Sequence, residues 1–160
     1  MNTPTNTCAA CARTRWTLSL LLFGNHSELA WVTSGLAKLG LDPKNIKYVL
    51  VSHAHRDHVG GASYLQDRFG ARVVMSAADW DLLGRTGGAW PKPKRDIVAT
   101  DGQHLTLGDT TLTLYLTPGH TLGTISSLIP VKDGKAAHRS PVGRSCIQLA
   151  RKQGSVHNTG

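Results

Sequence analysis

The chain has 160 residues, enough for one domain with a sizeable core and too few for two ordinary domains. Hydrophobic residues make up 40% of it and charged residues 18%, an ordinary globular composition. No apolar run approaches the roughly 20 residues that a membrane-spanning helix needs. We therefore expect a single soluble domain with no membrane span.

The net charge of +8 is concentrated at the C-terminal end. Residues 42–133 carry ten basic and nine acidic side chains, whereas residues 134–160 carry five basic ones and no Asp or Glu. Such a tail is more typical of a solvated segment than of a nucleic-acid-binding arm, so we expect no nucleic-acid partner. Both ends also show weak periodicity. We predict a poorly defined segment over 1–33, a core over 34–139 and a basic, disordered tail over 140–160.

The predicted elements begin with a β-loop-α-β unit. Residues 48–52 form a short β-branched and aromatic run, Gly60-Gly61 leads into a helix over 62–69, and a second strand follows over 71–75. Ser76-Ala-Ala-Asp79 has the spacing of a capping box and predicts the start of another helix. Beyond a Gly- and Pro-rich loop the pattern changes to period two. It predicts a hairpin that turns at Gly108-Asp109, and strands over 111–117 and 125–131.

Four potential metal ligands lie within six residues directly after the first predicted strand. They form the sequence His53-Ala-His55-Arg-Asp57-His58, a crowding that packing does not explain. In extended backbone the side chains of His53 and His55 point the same way, so two imidazoles can share one ion. Asp57 and His58 lie past the turn, where they can reach a second ion. A further histidine, His120, follows a Pro-Gly turn at the end of a later strand.

The segment HAHRDHVGG after a strand, followed downstream by TPGHT, resembles the metallo-β-lactamase superfamily. The resemblance covers roughly residues 39–139. It implies an α/β fold with αββα layers, incomplete at both ends here. It also implies a first zinc held by His53, His55 and His120, and a second held by Asp57, His58 and a later histidine. The sequence does not identify that last ligand, and His138 and His157 are the candidates.

Within this superfamily, a histidine at position 58 resembles the third, cysteine-free subclass of metallo-β-lactamases. It is also found in related thioesterases, lactonases and nucleases. Many of the non-lactamase enzymes add an Asp from a Gly-Asp strand end after the Pro-Gly-His turn, and this chain has no such Gly-Asp pair after His120. That difference favours the lactamase side. Leu122 stands where proline is commoner, a change that we expect to be tolerated.

The resemblance predicts a zinc-dependent hydrolase, with β-lactam hydrolysis by a zinc-bound hydroxide as the leading function and antibiotic resistance as its role. Asp57 would be catalytic, orienting the nucleophile and passing a proton to the leaving nitrogen. The expected partner is a small cyclic amide or ester. We expect one firmly bound zinc and a second held weakly at Asp57 and His58, because two ligands hold zinc poorly.

Two alternatives remain open at this stage. One is another hydrolase of the same fold, a lactonase, thioesterase or nuclease. The other is an inactive fragment without a complete second metal site. The resemblance implies the bacterial periplasm or secretion, but no convincing signal-peptide cleavage site follows the apolar run near the N-terminus. The sequence indicates no oligomeric state.

Overall fold

The computed structural model describes residues 11–14, 17–21, 29–108, 110–133 and 136–142. These residues form two β-sheets with helices. The described strands are β1 (Cys11–Thr14), β2 (Thr17–Leu21), β3 (Ile46–Leu50), β4 (Arg72–Ser76), β5 (Ile97–Ala99), β6 (His104–Leu107), β7 (Thr110–Leu116), β8 (Ile125–Asp133) and β9 (Ala136–Val142). The described α-helices are α1 (Leu29–Lys38), α2 (Arg56–Val59), α3 (Ala62–Phe69) and α4 (Ala77–Arg85).

The first sheet has the strand order β1-β2-β3-β4-β5, in which β1 is antiparallel to β2 and the remaining neighbours are parallel. The second sheet has the order β6-β7-β8-β9 and is antiparallel throughout. Parallel strands need crossover connections, and α3 connects β3 to β4 in this way. The described chain therefore has the predicted α/β class.

Two separate groups of buried apolar side chains cover the two faces of the first sheet. The helix-side core lies against the helices and includes Val49, Val73, Leu65 and Trp80. The inter-sheet core lies against the second sheet and is formed by Leu50, Val74, Ala99, Leu105, Leu107, Leu112, Leu114, Ile125 and Ile129. Because successive residues here enter opposite cores, the chain is continuously apolar over 49–51 and 73–75, as expected of parallel strands covered on both faces.

The helices and strands that the local sequence patterns predict are confirmed. The helix predicted over 62–69 coincides with α3, and the strands predicted over 48–52, 71–75, 111–117 and 125–131 correspond to β3, β4, β7 and β8 with ends shifted by one or two residues. The helix predicted after Ser76 is α4, and the Ser76 hydroxyl accepts a hydrogen bond from the amide of Asp79 as an N-cap.

The predicted division into an N-terminal segment, a core and a tail stays a prediction. Much of 1–33 and most of 140–160 lie outside the described residues, including Cys8, Cys146 and His157. Within the described part, β1, β2 and the start of α1 fall in the predicted N-terminal segment, and the end of β9 falls in the tail. No described helix is long and apolar enough to cross a membrane.

An ion pair fixes the start of β5 beside β4. The guanidinium of Arg72 donates to both carboxylate oxygens of Asp96, and the amide of Val73 donates to Asp96 Oδ2 at 3.1 Å. The hydrogen bonds from Arg72, opposed only in part by desolvation, hold the pKa of Asp96 below its ordinary value. A carboxyl group with a lowered folded-state pKa stabilises the fold above its unfolded pKa of about 3.9, and this contribution is lost as pH falls through the folded value.

We expect Asp96→Asn to lower the free energy of unfolding by about 1 kcal/mol at pH 7, because the charge-assisted bonds to Arg72 are lost. The difference should shrink at an acidic pH below the folded-state pKa of Asp96, where the native carboxyl group is itself protonated. Urea unfolding of both proteins at the two pH values measures it. A difference of equal size at both pH values would contradict this origin.

The connection from β7 to β8 packs closely on the start of α4. A Cβ atom added to Gly123 would lie 2.7 Å from the backbone nitrogen of Asp79 and 2.8 Å from its Oδ1, and it would overlap the Ser76 hydroxyl. Such contacts are shorter than van der Waals packing permits. Glycine at position 123 therefore sets how closely the second sheet's loop approaches the first sheet.

We expect Gly123→Ala to lower the free energy of unfolding by about 1–3 kcal/mol, as overpacking in a tight site does. Gly84→Ala is the matched control, since Gly84 lies in α4 with nothing within 4 Å of an added Cβ. The free energy of unfolding of the control should rise by about 0.5–1 kcal/mol, because alanine has a better helix propensity than glycine. Chemical denaturation measures both, and an unchanged Gly123→Ala protein would show that the loop yields freely.

Candidate metal centre

The histidine-rich loop begins where β3 leaves the sheet. The amide of Val51 still donates to Val74, and the carbonyl of Ser52 accepts from Ile125, the first residue of β8, at 2.8 Å. The loop is therefore hydrogen-bonded to strands of both sheets. His55 has extended backbone angles (φ −70°, ψ 144°) and stands at the N-terminal end of α2. His53 is buried, whereas His55 is exposed.

His120 lies in the connection between β7 and β8, so it comes from the second sheet. The amide of Thr117 donates to the carbonyl of Thr124 at 2.8 Å, and the amide of Gly119 donates to the carbonyl of Thr121 at 3.0 Å. These bonds close the turn that carries His120. The neighbouring Leu122 is 86% exposed, so its side chain makes little packing contact where proline is commoner.

The three histidines expected at the first site converge. His53, His55 and His120 each offer a ring nitrogen, and these atoms lie within 4.8 Å of one another. Nδ1 of His55 and Nε2 of His120 are 2.9 Å apart and share a hydrogen bond. Four-coordinate zinc with bonds of about 2.0–2.1 Å would place two such nitrogens roughly 3.3 Å apart. The three side chains therefore form a potential metal site of suitable size.

His53 is prepared to act as a neutral ligand. Its Nδ1 is hydrogen-bonded to the Ser52 hydroxyl at 3.1 Å, while its buried Nε2 has no hydrogen-bond partner within the part of the chain that the structure describes. Burial, followed by the proximity of His58, His120 and His55, lowers the pKa of His53 to about 3. The ring is thus neutral at pH 7, as metal coordination requires. A buried ring nitrogen without a partner is costly, and a bound cation would satisfy it.

Asp57 and His58 lie beside this group rather than within it. Asp57 Oδ2 is 3.3 Å from His58 Nε2, and the Asp57 side chain is 70% exposed. The His58 ring lies 4.0 Å from the His53 ring between centroids. The second metal site that the sequence predicts at these two residues stays a prediction.

Apart from His53, His55, His58 and His120, the one histidine whose side chain the structure describes is His104. His104 is exposed on β6 and is hydrogen-bonded to the Thr113 hydroxyl. His138 belongs to β9, where its Cα is paired with Val131. His26 and His157 lie outside the described residues. A third ligand for the second ion is therefore not identified.

Sequence reasoning missed a group of buried polar residues behind the histidines. Asp79 Oδ2 accepts from the amide of Ala54 at 3.0 Å and from the hydroxyl of Thr121 at 2.9 Å. The Thr121 hydroxyl also contacts that of Thr124, which accepts from the Thr121 amide. Of these residues, only Asp79 belongs to a motif that the sequence analysis singled out, as the fourth residue of the capping box. Its carboxylate bonds to the histidine loops instead of reaching back to the helix N-cap.

Comparisons with known proteins agree with this geometry. The family model of the metallo-beta-lactamase superfamily matches residues 20–134. A hydroxyacylglutathione hydrolase of Acidiphilium cryptum is 37% identical over 83 residues, covering 52% of this chain and 30% of that protein. One of Pseudomonas syringae pv. syringae is 35% identical over 108 residues, covering 64% and 38% respectively. The chain thus spans about a third of the length of these curated relatives.

Among solved structures, BJP-1, a subclass B3 metallo-beta-lactamase of Bradyrhizobium japonicum, has a TM-score of 0.78 at 32% identity. The match covers 86% of this chain and 55% of that one. The metallo-beta-lactamase GOB-18 of Elizabethkingia meningoseptica has a TM-score of 0.79 at 26% identity, covering 86% and 54%. The relatives described above are named as hydrolases and lactamases. Together with the family match over residues 20–134, these likenesses establish that the chain belongs to the metallo-β-lactamase superfamily.

Proposed function

We propose that this protein is a zinc-dependent hydrolase that opens the ring of a β-lactam. The observation that carries the proposal is the convergence of His53, His55 and His120, whose ligand atoms lie within 4.8 Å of one another. Three neutral imidazoles leave one position of a tetrahedral ion open, which is the arrangement of catalytic rather than structural zinc. The substrate is a small molecule rather than a nucleic acid, in line with the near-neutral charge of residues 42–133.

The described residues divide the work of hydrolysis between them. His53, His55 and His120 would hold zinc, which when bound supplies a Lewis acid that brings the pKa of a bound water to about 7. Asp57 is exposed beside His58, so its carboxylate can orient a water molecule and carry a proton to the leaving nitrogen. Arg56, the first residue of α2, lies over the ring of Trp90, at 5.9 Å from its guanidinium carbon to the ring centroid. Its positive charge suits a substrate that carries a carboxylate.

One observation supports a β-lactam as the substrate. The likeness to BJP-1 extends over 86% of this chain at 32% identity.

A second candidate is the hydrolysis of a glutathione thioester. It is favoured by the curated relatives, which are named hydroxyacylglutathione hydrolases and match at up to 37% identity. Both reactions add water to a carbonyl carbon, and they differ in the leaving atom, nitrogen or sulfur. The same three-histidine site could serve either one, so a direct assay is needed.

We expect the zinc-loaded protein to hydrolyse nitrocefin, slowly because the second site lacks an identified third ligand, and to act less on S-lactoylglutathione or an acyl-homoserine lactone. Absorbance assays with the three substrates measure this, and His53→Ala provides the background rate. Faster thioester hydrolysis would favour the second candidate. Zinc binding without any turnover would identify an inactive member of the family.

We expect one firmly bound zinc per chain after dialysis, with a second bound only at excess metal. His53→Ala and His120→Ala should abolish the firm zinc, whereas His58→Ala should leave it nearly intact. His104→Ala is the matched control, because His104 is bonded to Thr113 on the second sheet. Metal analysis measures the content of each protein. Two tightly held zincs would contradict this stoichiometry and would mean that another residue, such as His138 or His157, completes the second site.

A further inference from the structure

The ligands of the proposed zinc come from two loops that belong to different sheets. His53 and His55 follow β3 in the first sheet, and His120 precedes β8 in the second. Zinc–nitrogen bonds tolerate displacements of only about 0.2 Å. The spacing of the two loops must therefore be held to this tolerance by contacts other than the imidazoles themselves.

A single carboxylate oxygen contacts both loops. Oδ2 of Asp79 accepts from the amide of Ala54, which lies between His53 and His55, and from the hydroxyl of Thr121, which follows His120. The donor atoms are 3.0 Å and 2.9 Å from the same oxygen. Asp79 itself is held at the start of α4, where its amide donates to the Ser76 hydroxyl.

The arrangement is costly for the fold taken alone. Asp79 is 1% exposed, and its other oxygen, Oδ1, is buried without a hydrogen-bond partner among the described residues. Burying a carboxylate with one oxygen unsatisfied opposes folding. The close packing of Gly123 beside Oδ1 leaves no room for another side chain there. A buried polar group with an unmet bond calls for an explanation beyond stability.

We propose that Asp79 is a positioning residue that sets the spacing of the two ligand-bearing loops and thereby the affinity of the metal site. Its Oδ2 acts through the backbone of Ala54 and the side chain of Thr121. What it supplies is an acceptor atom shared by the two loops, so the acceptor matters and the negative charge does not. The inference rests on the metal binding that belongs to the proposed function.

Two pairs of variants test the inference. Asp79→Leu removes the acceptor, whereas Asp79→Asn keeps an acceptor oxygen without the charge. Thr121→Val removes only the donor on the His120 side, whereas Thr121→Ser keeps it. Thr86→Val is the matched control, because the Thr86 hydroxyl donates to Leu82 within the C-terminal turn of α4 at 2.9 Å. All are compared as metal-free proteins titrated with Zn²⁺ against a chromophoric chelator and with Co²⁺ followed by its absorption bands.

We expect Asp79→Leu and Thr121→Val to weaken Zn²⁺ binding by about 10- to 100-fold, the range usual for residues that orient metal ligands. Both should also alter the Co²⁺ spectrum. Asp79→Asn, Thr121→Ser and Thr86→Val should stay within about threefold of the unsubstituted protein. Unfolding of the metal-free proteins shows whether Thr121→Val and Thr86→Val lose comparable stability. If Asp79→Leu does not fold, the comparison of Thr121→Val with Thr121→Ser still tests the inference.

These measurements distinguish a failure of the inference from a failure of the proposed function. An unsubstituted protein that binds neither Zn²⁺ nor Co²⁺ overturns the proposed function together with the inference. A binding protein in which Thr121→Val matches Thr86→Val overturns the inference alone. A loss of affinity in Asp79→Asn as large as in Asp79→Leu also overturns it, because the charge rather than the shared acceptor would then be responsible.

Discussion

The metal centre depends on the alignment of two β-sheets, because neither sheet carries all three histidines. His53 and His55 extend from a parallel strand of the first sheet, and His120 lies on a turn of the antiparallel second sheet. The inter-sheet core brings the two sheets together, but apolar packing is non-directional and does not fix positions to fractions of an ångström. Directional bonds at the edge do so, namely the bond between Ser52 and Ile125 and the two bonds that converge on Asp79.

The burial of His53 has opposite effects on the fold and on the chemistry. An imidazole removed from water and surrounded by three others is held neutral, with its pKa lowered to about 3. Its Nε2 has no hydrogen-bond partner among the residues that the structure describes, which costs folding free energy. The same atom is open to a cation when the neutral ring carries its proton on the Nδ1 that is bonded to Ser52. The site is thus arranged for a metal ion at some cost to the metal-free protein.

Local signals in the sequence were sufficient for the unit that carries the histidines. The β3-loop-α3-β4 unit, the hairpin of β6 and β7 and the cap at Ser76 depend on residues close in sequence, and all were predicted. The sequence patterns did not predict four of the described strands, β1, β2, β5 and β9. β2 and β5 pair with β3 and β4 across long sequence separations, and Pro141, which lacks an amide hydrogen, weakens the strand signal of β9 at the sheet edge. The role of Asp79 was missed because its partners lie 25 and 42 residues away.

The two candidate ion sites differ in how firmly the fold holds their side chains. Two members of the three-histidine group are backed by bonds to the body of the protein: the Ser52 hydroxyl is bonded to the His53 ring, and the turn around His120 is closed by backbone bonds. Asp57 is largely exposed and its described partner is the adjacent His58, so ordering its side chain around an ion must be opposed by rotamer entropy at the time of binding. A site whose ligands are already fixed binds more tightly than one that must order them. The difference in zinc affinity that we propose between the two sites would therefore arise from pre-organisation as well as from the number of ligands.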